Sequence, residues 1–318
     1  MENSIMETIK LHDNFLIVSH INPDGDTIGA ALAMALVLER YGKTYQIVNE
    51  GEIPKRYQFL PLVMQMKTPD QLQCTFSHII TVDCADEHRV GTRVKEKIDP
   101  NYQTWINIDH HPTNTNFGTI NFVDPQAAST TVIIYELLKA LNIPLDYDLS
   151  LCLYTGLMTD TGSFKYSNTT SEVHEAAADL VAYGINVNDV FDRLYETMTL
   201  AKIRFLQSAL RSVNVDSLGK IAWIDLDMRQ SDASLELDDV DGMVDYPRSI
   251  EGVEVAIAFK ILEQEKVKVS LRSKKYVDVS QIACEFNGGG HKRASGCMLT
   301  DPLDVARYKV IQAIQKYL

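Results

Sequence analysis

The stretch His20-Ile-Asn-Pro-Asp-Gly-Asp26 follows the apolar run Asn14-Phe-Leu-Ile-Val-Ser19 and precedes a long segment rich in Ala, Leu and Met. The branched apolar run predicts a buried strand, and Pro-Asp-Gly predicts a tight turn. The segment from Thr27 to Tyr41 predicts a helix. The order strand, turn, helix is typical of an α/β fold, and here it places one imidazole and two carboxylates at the turn.

Two later segments repeat the pattern of an apolar strand that ends in acidic or imidazole residues. They are His78-Ile-Ile-Thr-Val-Asp83 and Thr104-Trp-Ile-Asn-Ile-Asp109, the second followed by His110 and His111. A further acid, in Thr159-Asp-Thr-Gly-Ser-Phe164, follows an apolar helix predicted over 148–158. Because the carboxyl ends of parallel strands share one edge of a sheet, these distant residues are expected to converge there. The converging side chains are His20, Asp24, Asp26, Asp83, Asp109, His110, His111 and Asp160.

Carboxylate and imidazole without thiolate are the donors expected for Mn²⁺ or a similar ion. Two such ions about 3.5–4 Å apart can clamp a phosphoryl group and generate a hydroxide between them, so phosphoester hydrolysis is the predicted chemistry. Each cluster taken alone has a simpler explanation. Asp26 alone could be only a helix cap, and His110-His111 alone could be a solvated turn before Pro112. Capping does not explain the whole set in this order.

Composition predicts a globular protein of two domains. The chain has 318 residues, of which 45% are hydrophobic, and a formal net charge of −13. That charge argues against a protein that wraps long duplex nucleic acid. No apolar stretch reaches the roughly 18 residues that span a bilayer, so no membrane association is expected. The five scattered cysteines indicate neither a disulfide framework nor a zinc site, and favour a reduced, cytoplasmic location.

Strands and helices alternate up to about residue 185, which predicts a doubly wound, largely parallel sheet. The remaining elements of this part are strands at 43–48, 78–83 and 104–109 and helices at 128–141, 148–158 and 171–183. A long helical pattern over 188–213 is interpreted as a connector. Strand patterns at 220–225, 253–262 and 267–271 and helical patterns at 279–286 and 303–317 then predict a smaller α+β domain. The predicted domains are 1–186 (catalytic), 187–213 (helical linker) and 214–318 (substrate-binding).

A second motif, Asn287-Gly-Gly-Gly-His-Lys-Arg-Ala-Ser-Gly296, lies in the C-terminal part. Consecutive glycines let successive backbone N–H groups point at one anion, and nearby cations add charge-assisted donors. The alternative is a flexible loop with incidental charge. Arg272-Ser273 is a second candidate phosphate clamp and Arg248 a third, although each is also typical of a solvated surface. The predicted substrate-binding residues are Arg248, Arg272, Ser273, Gly288, Gly289, Gly290, His291 and Arg293.

Taken together and in this order, these motifs resemble the DHH phosphoesterase family, in particular its nanoRNase-type members with a C-terminal DHH-associated domain. The resemblance implies two Mn²⁺ ions per subunit, with Mg²⁺ or Co²⁺ as substitutes, and a substrate held between the domains. It also implies the division of labour among the residues. His20 and Asp24 would bind one ion, Asp26, His110 and Asp160 the other, and Asp83 both, while Asp109 and His111 would orient ligands or contact substrate.

The resemblance further implies the reaction. Short oligoribonucleotides would be cleaved to mononucleotides, and 3′-phosphoadenosine 5′-phosphate would be converted to AMP, by attack of a metal-bridging hydroxide. Asp83, Asp109, His110 and His111 would be the catalytic group, and a homodimer is the implied assembly. Three alternatives stay open at this point: an inorganic pyrophosphatase, a phosphodiesterase specific for linear or cyclic dinucleotides, and a nucleotide sensor without catalysis.

Overall fold

A computed structural model describes residues 2–72, 74–230, 235, 240 and 242–318. The chain divides into two compact units, Met1–Thr197 and Met198–Leu318. Within the described residues, none of the helices has both the length and the apolar character needed to cross a bilayer.

The first unit is built on a parallel sheet of six strands. They are β1 Phe15–Val18, β2 Tyr45–Val48, β3 Met66–Lys67, β4 His78–Val82, β5 Thr104–Asp109 and β6 Ile120–Val123. Their order is β3-β2-β1-β4-β5-β6, with parallel pairing throughout. Phe15 and Ile17 pack into the core on one face, whereas Leu16 and Val18 pack into a core on the other. The prediction of a doubly wound, largely parallel sheet is therefore confirmed.

The described part of the first unit contains seven α-helices. They are α1 Glu2–Leu11, α2 Gly25–Arg40, α3 Thr92–Lys95, α4 Thr130–Ala140, α5 Tyr147–Asp160, α6 Ser171–Val181 and α7 Val187–Phe191. Helix α2 packs very closely on α5: a Cβ added at Gly29 would overlap the carbonyl oxygen of Cys152 on α5. This close packing of α2 on α5 brings the start of one helix near the end of the other. The helix α1 and the short strands β3 and β6 had no counterpart in the sequence pattern.

The helix expected over 188–213 is interrupted. Helix α7 continues into a π-helical turn, Asp192–Glu196, and a new helix, α8 Leu200–Leu210, begins after extended residues. The hydroxyl of Thr199 accepts from the Lys202 N–H and caps α8, and the hydroxyl of Thr197 donates to the Asp192 carbonyl oxygen. Threonine hydroxyls compete with helical hydrogen bonds, which explains a break that apolar spacing did not reveal.

The second unit contains α8, α9 Asp245–Ser249, α10 Val279–Cys284 and α11 Leu303–Gln315. Its strands are β7 Asn214–Val215, β8 Ile221–Asp227, β9 Val255–Glu263, β10 Lys266–Ser273, β11 Gly289–His291 and β12 Ala294–Leu299. The sheet order is β11-β12-β10-β9-β8-β7, in which β8 and β9 are parallel and the other pairs antiparallel. The predicted α+β fold of this part is confirmed.

A buried carboxylate organises the turn between β10 and α10. Glu254 is 3% exposed, and its oxygens accept the backbone N–H groups of Lys275, Tyr276 and Val277 at 2.7 to 3.2 Å. This turn immediately follows Arg272 and Ser273. Because buried N–H groups without a partner are costly, Glu254 holds the end of β10 in place.

We expect Glu254→Ala to lower the free energy of unfolding by about 3 kcal/mol, since it leaves several backbone donors without their acceptor. Urea denaturation of the full chain measures the change. Glu251→Ala is the matched control, because Glu251 is exposed on the same segment. Equal stability of the two variants would show that the turn does not depend on this carboxylate.

Candidate active site

The candidate site lies at the carboxyl ends of β1, β4 and β5. The strand order reverses direction between β1 and β4, and in open parallel sheets ligands bind in the crevice at that switch point. His20 follows β1, Asp83 follows β4, and Asp109 to His111 end and follow β5. The start of α2 supplies Asp24 and Asp26, and Asp160 is the last residue of α5. All eight predicted residues of the first unit are therefore brought to this one edge.

The carboxylate of Asp83 is at the centre of the site. Its Oδ2 lies 3.3 Å from Nε2 of His20, and its Oδ1 lies 3.5 Å from Nε2 of His110. Asp83 has a left-handed backbone, with φ of 58°, directly after β4. A non-glycine residue in this region is uncommon and tends to occur at functional sites.

The donors form two groups: Asp83 belongs to one and lies beside the other. His20, Asp24 and Asp83 form one group, and Asp26, His110 and Asp160 the other; within each, the donor atoms lie within 4.8 Å of one another. His110 Nε2 is 3.3 Å from Asp160 Oδ2, while its Nδ1 faces the Ala127 carbonyl oxygen at 3.4 Å. A proton on Nδ1 leaves Nε2 directed at the carboxylates, as a metal ligand requires.

The carboxylate of Asp26 is held by the start of α4. It accepts the backbone N–H groups of Thr130 and Thr131 at 2.7 and 2.9 Å, and the Thr131 hydroxyl at 2.7 Å. The first N–H groups of a helix lack partners within the helix and favour negative charge. Asp24, not Asp26, caps α2, because its Oδ1 accepts from the N–H groups of Asp26 and Thr27. Asp26 is therefore not the N-cap of the helix that follows it, although its carboxylate satisfies the first N–H groups of α4.

His111 belongs to a hydrogen-bonded chain rather than to either group. Its Nε2 lies 3.2 Å from Nη1 of Arg89, which can only donate, so Nε2 accepts and Nδ1 carries the proton. That Nδ1 donates to Asp109 Oδ1 at 2.7 Å, and Asn114 donates to the other oxygen of Asp109 at 2.5 Å. Asp83, His110 and His111 also lie close together. Because Nε2 accepts from Arg89 and Nδ1 donates to Asp109, His111 has no free lone pair directed at Asp83 and His110.

The site retains protons when no cation is bound. Burial and the charge of Asp83 raise the pKa of Asp26 to about 6. Burial and the charge of Asp26 also raise the pKa of Asp160 well above its usual value. Burial acts in the same direction on Asp83, but the hydrogen bond and charge of His20 outweigh it and hold the pKa of Asp83 below its usual range. Two carboxyls with raised pKa values beside a third with a lowered pKa make a site that favours added positive charge.

The residues present fit two divalent ions. The donors are carboxylate oxygens and imidazole nitrogens alone, which suits Mn²⁺ and similar ions better than thiophilic metals. Each group offers three residues, and the two oxygens of Asp83 face different groups. Nδ1 of His20 is also buried without a hydrogen-bond partner in the described part of the chain.

In the second unit, the glycine motif forms a hairpin of β11 and β12 instead of a free loop. A Cβ at Gly288 would overlap the Gly296 carbonyl oxygen, and one at Gly290 would lie 2.6 Å from that of Ala294. These two glycines therefore permit close approach of β12. Gly289 has open space above its Cα. The side chain of His291 lies outside the described part of the structure.

The predicted cations of the second unit have mixed surroundings. Arg293 donates to the carbonyl oxygens of Val277 and Lys275, and the Ser273 hydroxyl donates to Val277 as well. Both side chains thus support the turn that Glu254 holds. Arg272 is half-buried at the end of β10 and donates to the carbonyl oxygen of Leu271. Arg248, on α9, forms an ion pair with Asp245 at 2.9 Å.

Family models match both units of the chain: "DHH family, N-terminal domain" over residues 14–185 and "DHHA1 domain" over residues 220–318. The chain belongs to the DHH family. The predicted membership is confirmed, and with it the prediction of a phosphoesterase.

Curated relatives and a solved structure extend the match over nearly the whole chain. The bifunctional oligoribonuclease and PAP phosphatase NrnA of Thermus thermophilus is 33% identical over 304 residues, covering 95% of this chain and 89% of its own. The protein of the same description from Bacillus subtilis is 27% identical, covering 94% and 93%. A crystal structure of an exopolyphosphatase-related protein from Bacteroides fragilis superimposes with a TM-score of 0.91 at 26% identity, covering 99% and 96%.

Several residues of the site escaped the sequence analysis. Thr130 and Thr131 hold Asp26, Arg89 and Asn114 complete the chain through His111, and Gly156 on α5 leaves room for Asp26. A Ser-Thr-Thr run before a helical pattern is a typical helix start and was a usable signal. Arg89 lies in the short 3₁₀ turn Glu87–Val90 and Asn114 in a loop, and neither has a sequence pattern that points to the site.

We expect Thr131→Val to weaken Mn²⁺ binding by about tenfold, because the isosteric side chain keeps the packing but no longer donates to Asp26. Thr131→Ser retains the hydroxyl and is the matched control. Calorimetric titration with Mn²⁺ measures both. Equal affinities would mean that the two backbone N–H groups alone position this carboxylate.

We also expect metal affinity to depend on pH. A divalent ion binds the ionised form of Asp26, whose pKa is about 6, so protons compete below that value. Apparent affinity should rise from pH 5 to pH 7 with release of protons. Without metal, the raised pKa of Asp26 also makes the fold more stable at low pH, where the carboxyl is protonated. This contribution to the free energy of unfolding is lost as pH rises through about 6. Calorimetry in buffers of different ionisation enthalpy counts the protons; an affinity independent of pH would contradict the expectation.

Proposed function

We propose that the chain is a Mn²⁺-dependent phosphoesterase that cleaves short oligoribonucleotides to mononucleotides and converts 3′-phosphoadenosine 5′-phosphate to AMP. The observation that carries the proposal is the position of Asp83 between two donor groups, with one oxygen toward each. The activities named for the relatives from Thermus thermophilus and Bacillus subtilis support the choice of substrates.

The proposed ligand sets follow the two groups. His20 and Asp24 would hold one ion, and Asp26, His110 and Asp160 the other, with Asp83 shared. Two bound divalent ions would supply a Lewis acid for the phosphoryl oxygens and water of lowered pKa as nucleophile. Mg²⁺ or Co²⁺ would fit the same oxygen and imidazole donors, with Mn²⁺ preferred.

The protein's own groups would align the reaction. Asp109 fixes the Nδ1 proton of His111 through a 2.7 Å hydrogen bond, and Arg89 faces the opposite nitrogen. His111 therefore keeps one orientation, with Nδ1 3.5 Å from Asp83 Oδ1. We assign Asp109 and His111 the role of holding Asp83. We assign His110 the role of a metal ligand next to the reacting phosphate. Preorganised charge of this kind lowers the barrier because no reorganisation is needed during the reaction.

The second unit would bind a terminal phosphate. Arg272 and the backbone around Gly289, where the space is open, are the proposed donors, together with His291. Arg293 and Ser273 would act mainly by holding the turn after β10, because their donors already meet backbone carbonyl oxygens. Arg248 is a further proposed phosphate donor, which would exchange its ion pair with Asp245 for the substrate.

The setting of this activity is also part of the proposal. All five cysteines are free and lie within the described residues, in keeping with a reduced cytoplasm. A homodimer remains proposed on the family resemblance.

The direct test uses purified full-length protein with Mn²⁺ and, in separate reactions, a 5′-phosphorylated diribonucleotide, 3′-phosphoadenosine 5′-phosphate and pyrophosphate. We expect hydrolysis of the first two. Asp83→Asn should reduce kcat by more than about a hundredfold, because it removes a charge shared by both groups. Asp148→Asn, on the exposed first turn of α5, is the control and should retain activity.

The other outcomes separate the alternatives. Hydrolysis of pyrophosphate alone would overturn the proposal in favour of a pyrophosphatase. Cleavage of dinucleotides without phosphatase activity would restrict it to a dinucleotide phosphodiesterase. Nucleotide binding without any turnover would indicate a sensor.

A further inference from the structure

The turn that follows Asp160 has an unusual backbone. Gly162, Ser163 and Phe164 are consecutive residues in the left-handed region, with φ of 57°, 58° and 62°. For a bulky residue such as Phe164 this conformation is a real outlier. Strained residues persist only where the surroundings impose them, and they cluster at functional sites.

Thr161 and a ring contact impose this conformation. The Thr161 hydroxyl donates to the Leu157 carbonyl oxygen at 2.7 Å and accepts the Phe164 N–H at 3.2 Å. The ring of Phe164 stacks on His174, with centroids 5.4 Å apart and an interplanar angle of 21°. The Tyr166 N–H closes the turn on the Thr161 carbonyl oxygen at 3.0 Å.

The consequence of the strained turn is the position of Tyr166. Its ring lies directly over Gly162, so that a Cβ at that glycine would overlap the ring carbons. The ring is thereby fixed within six residues of Asp160, yet Tyr166 remains 42% exposed. Tyr166 is therefore a positioned ring near Asp160 that keeps part of its surface in solvent.

Tyr195 lies at the same end of α5. Its hydroxyl donates to the Met158 carbonyl oxygen at 3.4 Å, and its ring centroid is 5.2 Å from that of Phe191. Burial and the neighbouring phenols of Tyr57 and Tyr166 raise the pKa of Tyr195, which therefore stays neutral. Tyr195 is 38% exposed.

A cation completes this cluster. The guanidinium carbon of Arg56 lies 5.2 Å from the centroid of the Tyr57 ring, a cation–π distance. The 3₁₀ turn Lys55–Tyr57 contacts the π-helical turn that carries Tyr195. Arg56, Asp160 and Tyr166 all lie close enough to Tyr195 to act on its phenol electrostatically, and all belong to the first unit.

We propose that Tyr166 and Tyr195, with Arg56, form a stacking subsite for the nucleobase of the nucleotide whose phosphate lies at Asp160 and Asp83. Exposed aromatic faces beside a cation bind bases of any sequence, because every base offers a π face. The strained turn supplies the rigidity, since it orders one ring before the ligand arrives. This inference rests on the proposed function for the position of the phosphate, but not for the stacking itself.

The test compares adenosine 5′-monophosphate with ribose 5-phosphate, which lacks the base, by calorimetric titration of the full chain in Mn²⁺. Wild type should prefer the nucleotide, and Tyr166→Leu should reduce that preference by about tenfold. Tyr166→Phe keeps a ring face and should restore most of it. Tyr183→Leu removes a tyrosine of similar exposure, 39%, from the turn that follows α6 and is the control.

The same variants can be compared in turnover of a diribonucleotide, where Tyr166→Leu should raise KM about tenfold with a smaller effect on kcat. If Tyr166→Leu weakened the binding of both ligands equally, or of neither, while Mn²⁺ binding stayed intact, the proposed subsite would be wrong. If Tyr166→Leu fails to melt cooperatively, Tyr195→Leu provides the same comparison. Base preference that depends on Tyr166 in a protein without turnover would support the subsite and refute the proposed reaction instead.

Discussion

The burial of the carboxylate of Asp83 at the switch point of a parallel sheet is the constraint on which the rest of the first unit depends. Asp26 is completely buried close to it, and Asp160 is partly shielded beside His110. Desolvation and mutual repulsion would disfavour three ionised acids in such a place. His20 and His110 offset part of this cost, and the raised pKa values of Asp26 and Asp160 reduce the charge further at low pH. The arrangement is stable as a protein fold only because each charge has a specific partner.

Those partners are mostly hydrogen-bond donors that the backbone holds rigidly. The start of α4 donates two N–H groups to Asp26, and its Thr130 hydroxyl donates to Asp83 at 3.2 Å. Asp109 is fully buried and fixes His111. Donors carried by helix ends and strand ends lose little entropy when a ligand binds, so the site is ordered in advance. Left-handed residues at Asp83 and at 162–164 are the backbone cost of that order.

The second unit uses the same physical device for a different purpose. Glu254 collects backbone N–H groups, and Arg293 collects backbone carbonyl oxygens, on either side of one turn. The turn then presents the end of β10, where Arg272 lies. Gly288 and Gly290 of the glycine motif are needed for the close packing of β12, whatever ligand they also approach. Anion binding would use what that packing leaves open.

The sequence by itself determined the fold class, the strands β1, β4 and β5, and the eight acidic and imidazole residues that meet at their ends. The elements follow from local periodicity, a short-range property, and the meeting of their ends follows from the general rule that parallel strands of one sheet end at the same edge. Only the tertiary structure decided which donors hold Asp26, because Thr130 and Thr131 lie over a hundred residues away. The same holds for the contact of Arg89 with His111. Such features depend on contacts between distant segments, and no local pattern encodes them.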